Sequence, residues 1–109
     1  MDRGGESKVR VAATADIEIG SAHRVTVNGT AICVVRCADG YHAVSDVCSH
    51  EDYSLAEGEV DPDACEIECW KHGSLFSLLT GEPVTLPATL PVRVFPVEVE
   101  GNDIWVVVD

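Results

Sequence analysis

Basic residues are scarce in this chain. Seven Lys and Arg stand against nineteen Asp and Glu over 109 residues, a formal charge of −12. That balance argues against nucleic acid, whose phosphates attract Lys and Arg. It argues equally against an anionic membrane surface. No apolar run approaches the roughly 18 residues that suggest a membrane span. The opening Met1-Asp2-Arg3-Gly4-Gly5-Glu6-Ser7 is polar and has no apolar h-region. It reads as a disordered tip, residues 1–7, and not as a signal peptide. Without an export signal, reduced thiols and a cytoplasmic home are expected. No repeat, heptad or low-complexity tract is visible, and no Ser-His-Asp order, phosphate loop or paired-carboxylate signal stands out. Only one Met and two Trp contribute to a composition that is 46 % hydrophobic. The length fits one domain with a modest core, which a bound metal would help to stabilise. The acidity fits either a basic protein partner steered by long-range attraction or simple dispersal of a small soluble monomer.

What the chain does have is two short Cys/His loops. Cys48-Ser49-His50 reads C-x-H, and Cys69-Trp70-Lys71-His72 reads C-x-x-H, with eighteen residues between His50 and Cys69. Thiolate and imidazole are ligands for soft and borderline transition metals. Two such loops facing each other supply two sulfurs and two nitrogens. That set suits one tetrahedral zinc, or a 2Fe–2S cluster with His in place of Cys at one iron. Finger-type zinc sites usually pair Cys with Cys and His with His. Here each loop carries one of each, so the spacing favours the cluster.

Around these loops the pattern is all-β. Strands are expected over Lys8–Ala13, Ala22–Val27, Thr30–Cys37 and Tyr41–Ser45. Asn28-Gly29 and Asp39-Gly40 mark tight hairpins. Composition then shifts: residues 46–63 hold turn formers and acids. Short strands follow at Glu66–Cys69 and Leu75–Leu79. Pro83, Pro87 and Pro91 make residues 82–91 a stiff loop. Val92–Glu100 and Ile104–Val108 read as a last hairpin. The result is one antiparallel β base domain, residues 1–109, with a loop-rich cluster-binding subdomain inserted at about 46–84.

Five cysteines leave an odd thiol. Cys33 and Cys37 lie four apart in one strand, as do Cys65 and Cys69. Four extended residues span roughly 13 Å, too far for a disulfide. Cys33 and Cys37 share a strand face with Ala31 and Val35 and read as small core hydrophobes. Cys65 reads as a bystander thiol, although C-x3-C with Cys69 is a possible zinc spacing. His23 and His42 have no ligand-spaced partner and read as surface or half-buried. Trp105 reads as core. Trp70 is placed either to shield the metal region or to pack on the base.

The two dyads, with Gly73-Ser74 after the second and Gly81…Pro87-Ala88-Thr89-Leu90-Pro91-Val92 further on, resemble a Rieske-type 2Fe–2S ferredoxin. The likeness covers nearly the whole chain and is of the low-potential, oxygenase-associated kind. It implies a Rieske iron–sulfur fold of three stacked antiparallel sheets. It implies that Cys48 and Cys69 bind the inner iron and that His50 and His72 bind the outer, redox-active one. Gly73 would allow a tight turn, Ser74 would bond a sulfide, and the Pro83–Pro91 loop would cover a third side. Respiratory members of the family carry a bracing disulfide and a Tyr that bonds a cluster ligand. Tyr53, Lys71 and Phe76 occupy those places here.

Eight acids lie between the dyads: Glu51, Asp52, Glu57, Glu59, Asp61, Asp63, Glu66 and Glu68. Their charge opposes adding an electron. With one donor to the cluster lost, the potential is expected near the low end of the Rieske range, roughly −150 mV. The implied activity is one-electron transfer from a reductase to a terminal enzyme, such as a multi-component ring-hydroxylating oxygenase, with no bond-making catalysis. Three alternatives share these residues: a ferredoxin for another pathway such as iron–sulfur assembly, the small subunit of a nitrite reductase, and a zinc-stabilised interaction module.

Overall fold

The computed structural model describes residues 7–47, 54–70, 73–85 and 90–108. Ten strands occur among them: β1 (Ser7–Ala13), β2 (Ala22–Val27), β3 (Thr30–Cys37), β4 (Gly40–Ser45), β5 (Val60–Asp61), β6 (Glu66–Glu68), β7 (Leu75–Ser77), β8 (Val94–Phe95), β9 (Val97–Glu100) and β10 (Asp103–Val108). Single 3-10 turns sit at Thr14–Asp16 and Leu55–Glu57. The strands form three antiparallel sheets, ordered β1-β10-β9, β2-β3-β4-β8 and β5-β6-β7.

The order is nested. The chain starts in the first sheet, builds most of the second, makes the third, then returns through the second to the first. The third sheet is therefore an insertion between β4 and β8. β3 explains why the middle sheet is covered on both sides. Successive side chains of a strand point to opposite faces, and here both sets are buried. Ile32 and Val34 join Ile17, Ala43, Phe95, Ile104, Val106 and Val108 in one core. Cys33, Val35 and Cys37 join Val44, Leu55, Ile67, Cys69, Phe76, Leu78 and Val92 in the other. The β2–β3 hairpin turns at Asn28 and Gly29, with φ of 50° and 81°. Both residues are in the left-handed region that a two-residue hairpin of this twist requires.

Several expectations are corrected. Ser7, assigned to the disordered tip, opens β1 and pairs with Val108; residues 1–6 lie outside the described residues. The expected strand at 92–100 is two strands, because Pro96 has no N–H to give a ladder. β8 pairs with β4, and β9 pairs with β10. The short strand β5 lies in the acidic stretch read as loop. Trp105 is half-buried and belongs to neither core, because Ile104, Val106 and Val108 take the inward face of β10. Lys8 lies 5.4 Å from its ring centre and bonds Glu98 and Glu100 on the far strand.

The reduced-thiol expectation also fails for one pair. Cys37 and Cys65 form a disulfide, with Cα atoms 5.5 Å apart and a sequence separation of 28. Cys37 ends β3, and Cys65 lies in the β5–β6 turn. The spacing argument excluded only the local pairs, and this pair is made by the fold. Cys37 is thus more than a core hydrophobe, and Cys65 is not a bystander.

Candidate metal centre

Of the four residues expected to hold a metal, Cys69 lies among the described residues. Cys48, His50 and His72 lie outside them, as do Tyr53 and Lys71. The positions where their loops leave and rejoin the fold are nevertheless well placed.

The first loop leaves at Val47 and returns at Ser54, and these two residues form an antiparallel bridge. Asp46 holds this neck together. It is 1 % exposed. Its N–H donates to Ala31 O at 3.0 Å, and its carbonyl accepts from Leu55 N at 2.6 Å. Its carboxylate accepts from Ala56 N at 2.8 Å and from the Ser54 hydroxyl. Arg24 Nε lies 3.4 Å from the same carboxylate. A buried carboxylate needs partners of this kind. Sequence reasoning missed Asp46, and its only local signal is an Asp shortly before a Cys/His loop.

The second loop begins where β6 ends. Cys69 N donates to Ser74 O at 2.7 Å, and Gly73 N donates to Cys69 O at 2.8 Å. These bonds tie Cys69 to Gly73 and Ser74 at the base of the second loop. Gly73 has φ of +76°, where a side chain would be strained. Cys69 and Ser74 are both fully buried. Cys69 stands outside the disulfide. Trp70, beside it, is 48 % exposed.

The Pro83–Pro91 loop, expected to cover a third side, is described in part. Ser77 N bonds Glu82 O, Val84 N bonds Leu75 O, and Leu75 N bonds Thr85 Oγ1 at 2.8 Å. Residues 82–85 thus run alongside β7 before the chain turns back. Val92 N then bonds Gly81 O. Residues 86–89 lie outside the described residues.

Both necks rest on the same core. Leu55, one residue beyond the first neck, and Cys69 pack in one cluster with Ile67, Phe76 and Leu78. Phe76 is fully buried there, and its ring carries no hydroxyl to offer a ligand. Gly58 lets the two loop supports approach: a Cβ on it would sit 1.6 Å from Glu68 O. The surroundings are acidic. Glu59, Asp61 and Glu68, with Val60 and Leu75, line a cleft of about 140 Å³. A Cβ on Gly73 would lie 3.7 Å from the Glu68 carboxylate.

His23 is exposed and His42 half-buried, as read from sequence. His42 Nε2 lies 3.1 Å from Asp39 Oδ1. That bond holds the Asp39 carboxyl below its usual value. Burial, with a smaller contribution from the Asp46 charge, pushes the Cys33 thiol far up, so Cys33 stays neutral.

Three stacked antiparallel sheets, with two Cys/His loops rooted on one core beside the inserted sheet, define an iron–sulfur domain of the Rieske class. The family model for the Rieske [2Fe-2S] domain matches residues 7–96, and the chain belongs to that family. It is 39 % identical over 99 residues to Ferredoxin CarAc of Metapseudomonas resinovorans, covering 90 % of this chain and 91 % of that one. The ferredoxin of carbazole 1,9a-dioxygenase from Nocardioides aromaticivorans IC177 is similar in structure. Its TM-score is 0.88 at 38 % identity, over 92 % of this chain and 96 % of that one. A complex of reduced oxygenase and oxidized ferredoxin in carbazole 1,9a-dioxygenase contains a chain similar at TM-score 0.85 and 37 % identity, over 91 % of each chain.

Proposed function

We propose that this chain is a one-electron carrier that takes electrons from a reductase and delivers them to a terminal oxygenase of the ring-hydroxylating kind. The observation that carries this reading is end-to-end similarity to ferredoxins of dioxygenase systems, one of them solved with its oxygenase. Cys48, His50, Cys69 and His72 would hold one Rieske 2Fe–2S cluster. The donor set fits: two thiolates and two imidazoles are the Rieske ligands. The buried Cys69 thiol, at the end of a short paired strand, suits an inner iron kept from water. When bound, the cluster supplies a one-electron couple.

The chain's own residues do the rest. Asp46 and Ser54 close the first loop at its neck. The bonds from Cys69 to Gly73 and Ser74 close the second. Gly58 sets their separation. Trp70, in the second loop, and Val84, on the segment alongside β7, are both large and exposed. Glu59, Asp61 and Glu68 line a cleft with Leu75, whose carbonyl accepts from Val84 N, so an acidic face lies beside exposed Val84. Such a face suits brief docking, in which charge speeds encounter and a small apolar contact brings the redox groups close. No helix among the described residues is long and apolar enough to cross a membrane. A single domain, a monomeric free state and a cytoplasmic setting belong to the same proposal.

The test is reduction with dithionite and low-temperature EPR, with iron and sulfide analysis on the same sample. A rhombic signal with average g below the free-electron value, and about two irons and two sulfides per chain, is expected. Cys69→Ser and His72→Ala should each lose it. A silent protein holding one zinc would overturn the electron-carrier reading.

A further inference from the structure

A second cluster of metal-ligating groups lies away from the two Cys/His loops. The Cys37 and Cys65 sulfurs, an Asp39 carboxylate oxygen and a His42 ring nitrogen all lie within 4.8 Å of one another. Three of these residues come from the β3–β4 hairpin, and Cys65 comes from the β5–β6 turn. We propose that, once the Cys37–Cys65 disulfide is reduced, these four residues form a zinc site that clamps the inserted sheet to the base.

The donor set is two thiolates, one imidazole and one carboxylate, all ligand types of four-coordinate zinc. With zinc bonds of about 2.3 Å to sulfur and about 2.0–2.2 Å to nitrogen and oxygen, tetrahedral ligand atoms lie about 3.3–3.8 Å apart. Asp39 Oδ1 and His42 Nε2 are already 3.1 Å apart. The sulfurs must move apart to take separate zinc bonds, which breaking their bond permits. Burial and access are both suitable. Cys37 and Cys65 are buried, while the Asp39 side chain is 62 % exposed, so the cluster opens to solvent on one side.

Two backbone hydrogen bonds tie this arrangement together beside the disulfide. Ala38 N bonds Pro62 O at 3.0 Å, and Leu78 N bonds Cys65 O at 2.9 Å. Cys65 itself has φ of +58°. Few side chains other than Asn or Asp adopt that conformation, and it persists where surrounding contacts demand it.

The chemistry balances. A dithiol gives two electrons and two protons to the Cys37–Cys65 bond, becomes a disulfide itself, and leaves two thiols. Zinc then binds, and two thiol protons go to water. Cys65 is thus held to the base in both states, and with it the start of the strand that leads to Cys69.

The test uses the whole iron-loaded protein. Disulfide and phosphine-reduced forms are equilibrated with Zn2+, desalted, and analysed for zinc and iron. The reduced protein should gain about one zinc per chain with iron unchanged, the disulfide form none. Reduced Cys65→Ser and His42→Ala should lose the zinc and keep the iron. His42→Ala keeps the disulfide, so it stays informative if Cys65→Ser does not fold. The inference is overturned if the reduced protein gains no zinc, if His42→Ala gains as much as wild type, or if zinc appears only as iron is lost. It does not rest on the electron-carrier reading, which the EPR experiment tests separately.

Discussion

Replacing Asp46 with Ala should open the neck of the first loop. The carboxylate accepts from the Ala56 N–H and the Ser54 hydroxyl, and both would be left without that acceptor. A hydrogen bond to a charged group is worth about 1.5–3 kcal/mol. Arg24 adds little: its side chain is 59 % exposed and 3.4 Å away, and such a pair is worth at most about 1 kcal/mol. The expected loss is about 3–5 kcal/mol, set against a typical domain stability of about 5–15 kcal/mol. Cluster loss makes unfolding irreversible, so the readout is a thermal midpoint at fixed scan rate. At about 4–8 °C per kcal/mol for a domain near this size, the shift should be about 12–40 °C. Visible absorption should bleach before the far-UV dichroism changes, because the loop opens before the sheets do. Asp46→Asn keeps an acceptor for Ala56 and should lose roughly half as much. Arg24→Ala should move the midpoint by less than about 8 °C. An Asp46→Ala midpoint within about 3 °C of wild type, or equal to that of Arg24→Ala, would refute the latch.

Gly58→Ala puts a methyl 1.6 Å from the Glu68 carbonyl oxygen, and backbone must move to admit it. It should cost about 3 kcal/mol and lower iron content, whereas Gly29→Ala, with open space around it, should cost about 1–2 kcal/mol from backbone strain alone. Cys33 should resist alkylation in the folded protein, as mass mapping would show. Its raised thiol value also means that stability falls as pH rises past the ordinary thiol value of 9.0, where only the unfolded chain ionises. The reduction midpoint should lie near roughly −150 mV, and a value above about +100 mV would contradict the role given to the acids. Electron transfer to an oxygenase should slow as salt rises past about 0.1 M, where the Debye length falls below about 10 Å; a salt-independent rate would remove the acidic face from docking.

Much of the base was legible because its signals are local. Asn28-Gly29 sets a hairpin whatever surrounds it. The run from Thr30 to Cys37 is β-branched enough to be a strand in any sheet. What sequence could not show is which sheet a strand joins. Val94–Phe95 and Val97–Glu100 look like one strand because both alternate. Pro96 separates them, and the partners β4 and β10 then draw them into different sheets. β5 was invisible for a related reason. Two residues within an acidic turn-rich stretch carry no period, and Val60–Asp61 are extended only because Ile67 and Glu66 pair with them.

The site divides along the same line. Its proposed ligands are readable because each pair lies within one short loop, where spacing alone limits the geometry. The residues that hold those loops are not, since each acts across the chain. Asp46 reaches Ser54 and Ala56 beyond the loop it closes. Gly58 matters through Glu68, and Cys37 through Cys65. A strand argument that measures reach along the chain excludes Cys33 with Cys37, yet it is silent about two thiols that the nested topology brings to 5.5 Å between Cα atoms. Long-range contacts of this kind position the loops, while short-range spacing selects the donors. Substitutions at Asp46 or Gly58 should therefore lower iron content with every proposed ligand still present, whereas substitution of Cys69 or His72 should remove the cluster while the sheets stay folded.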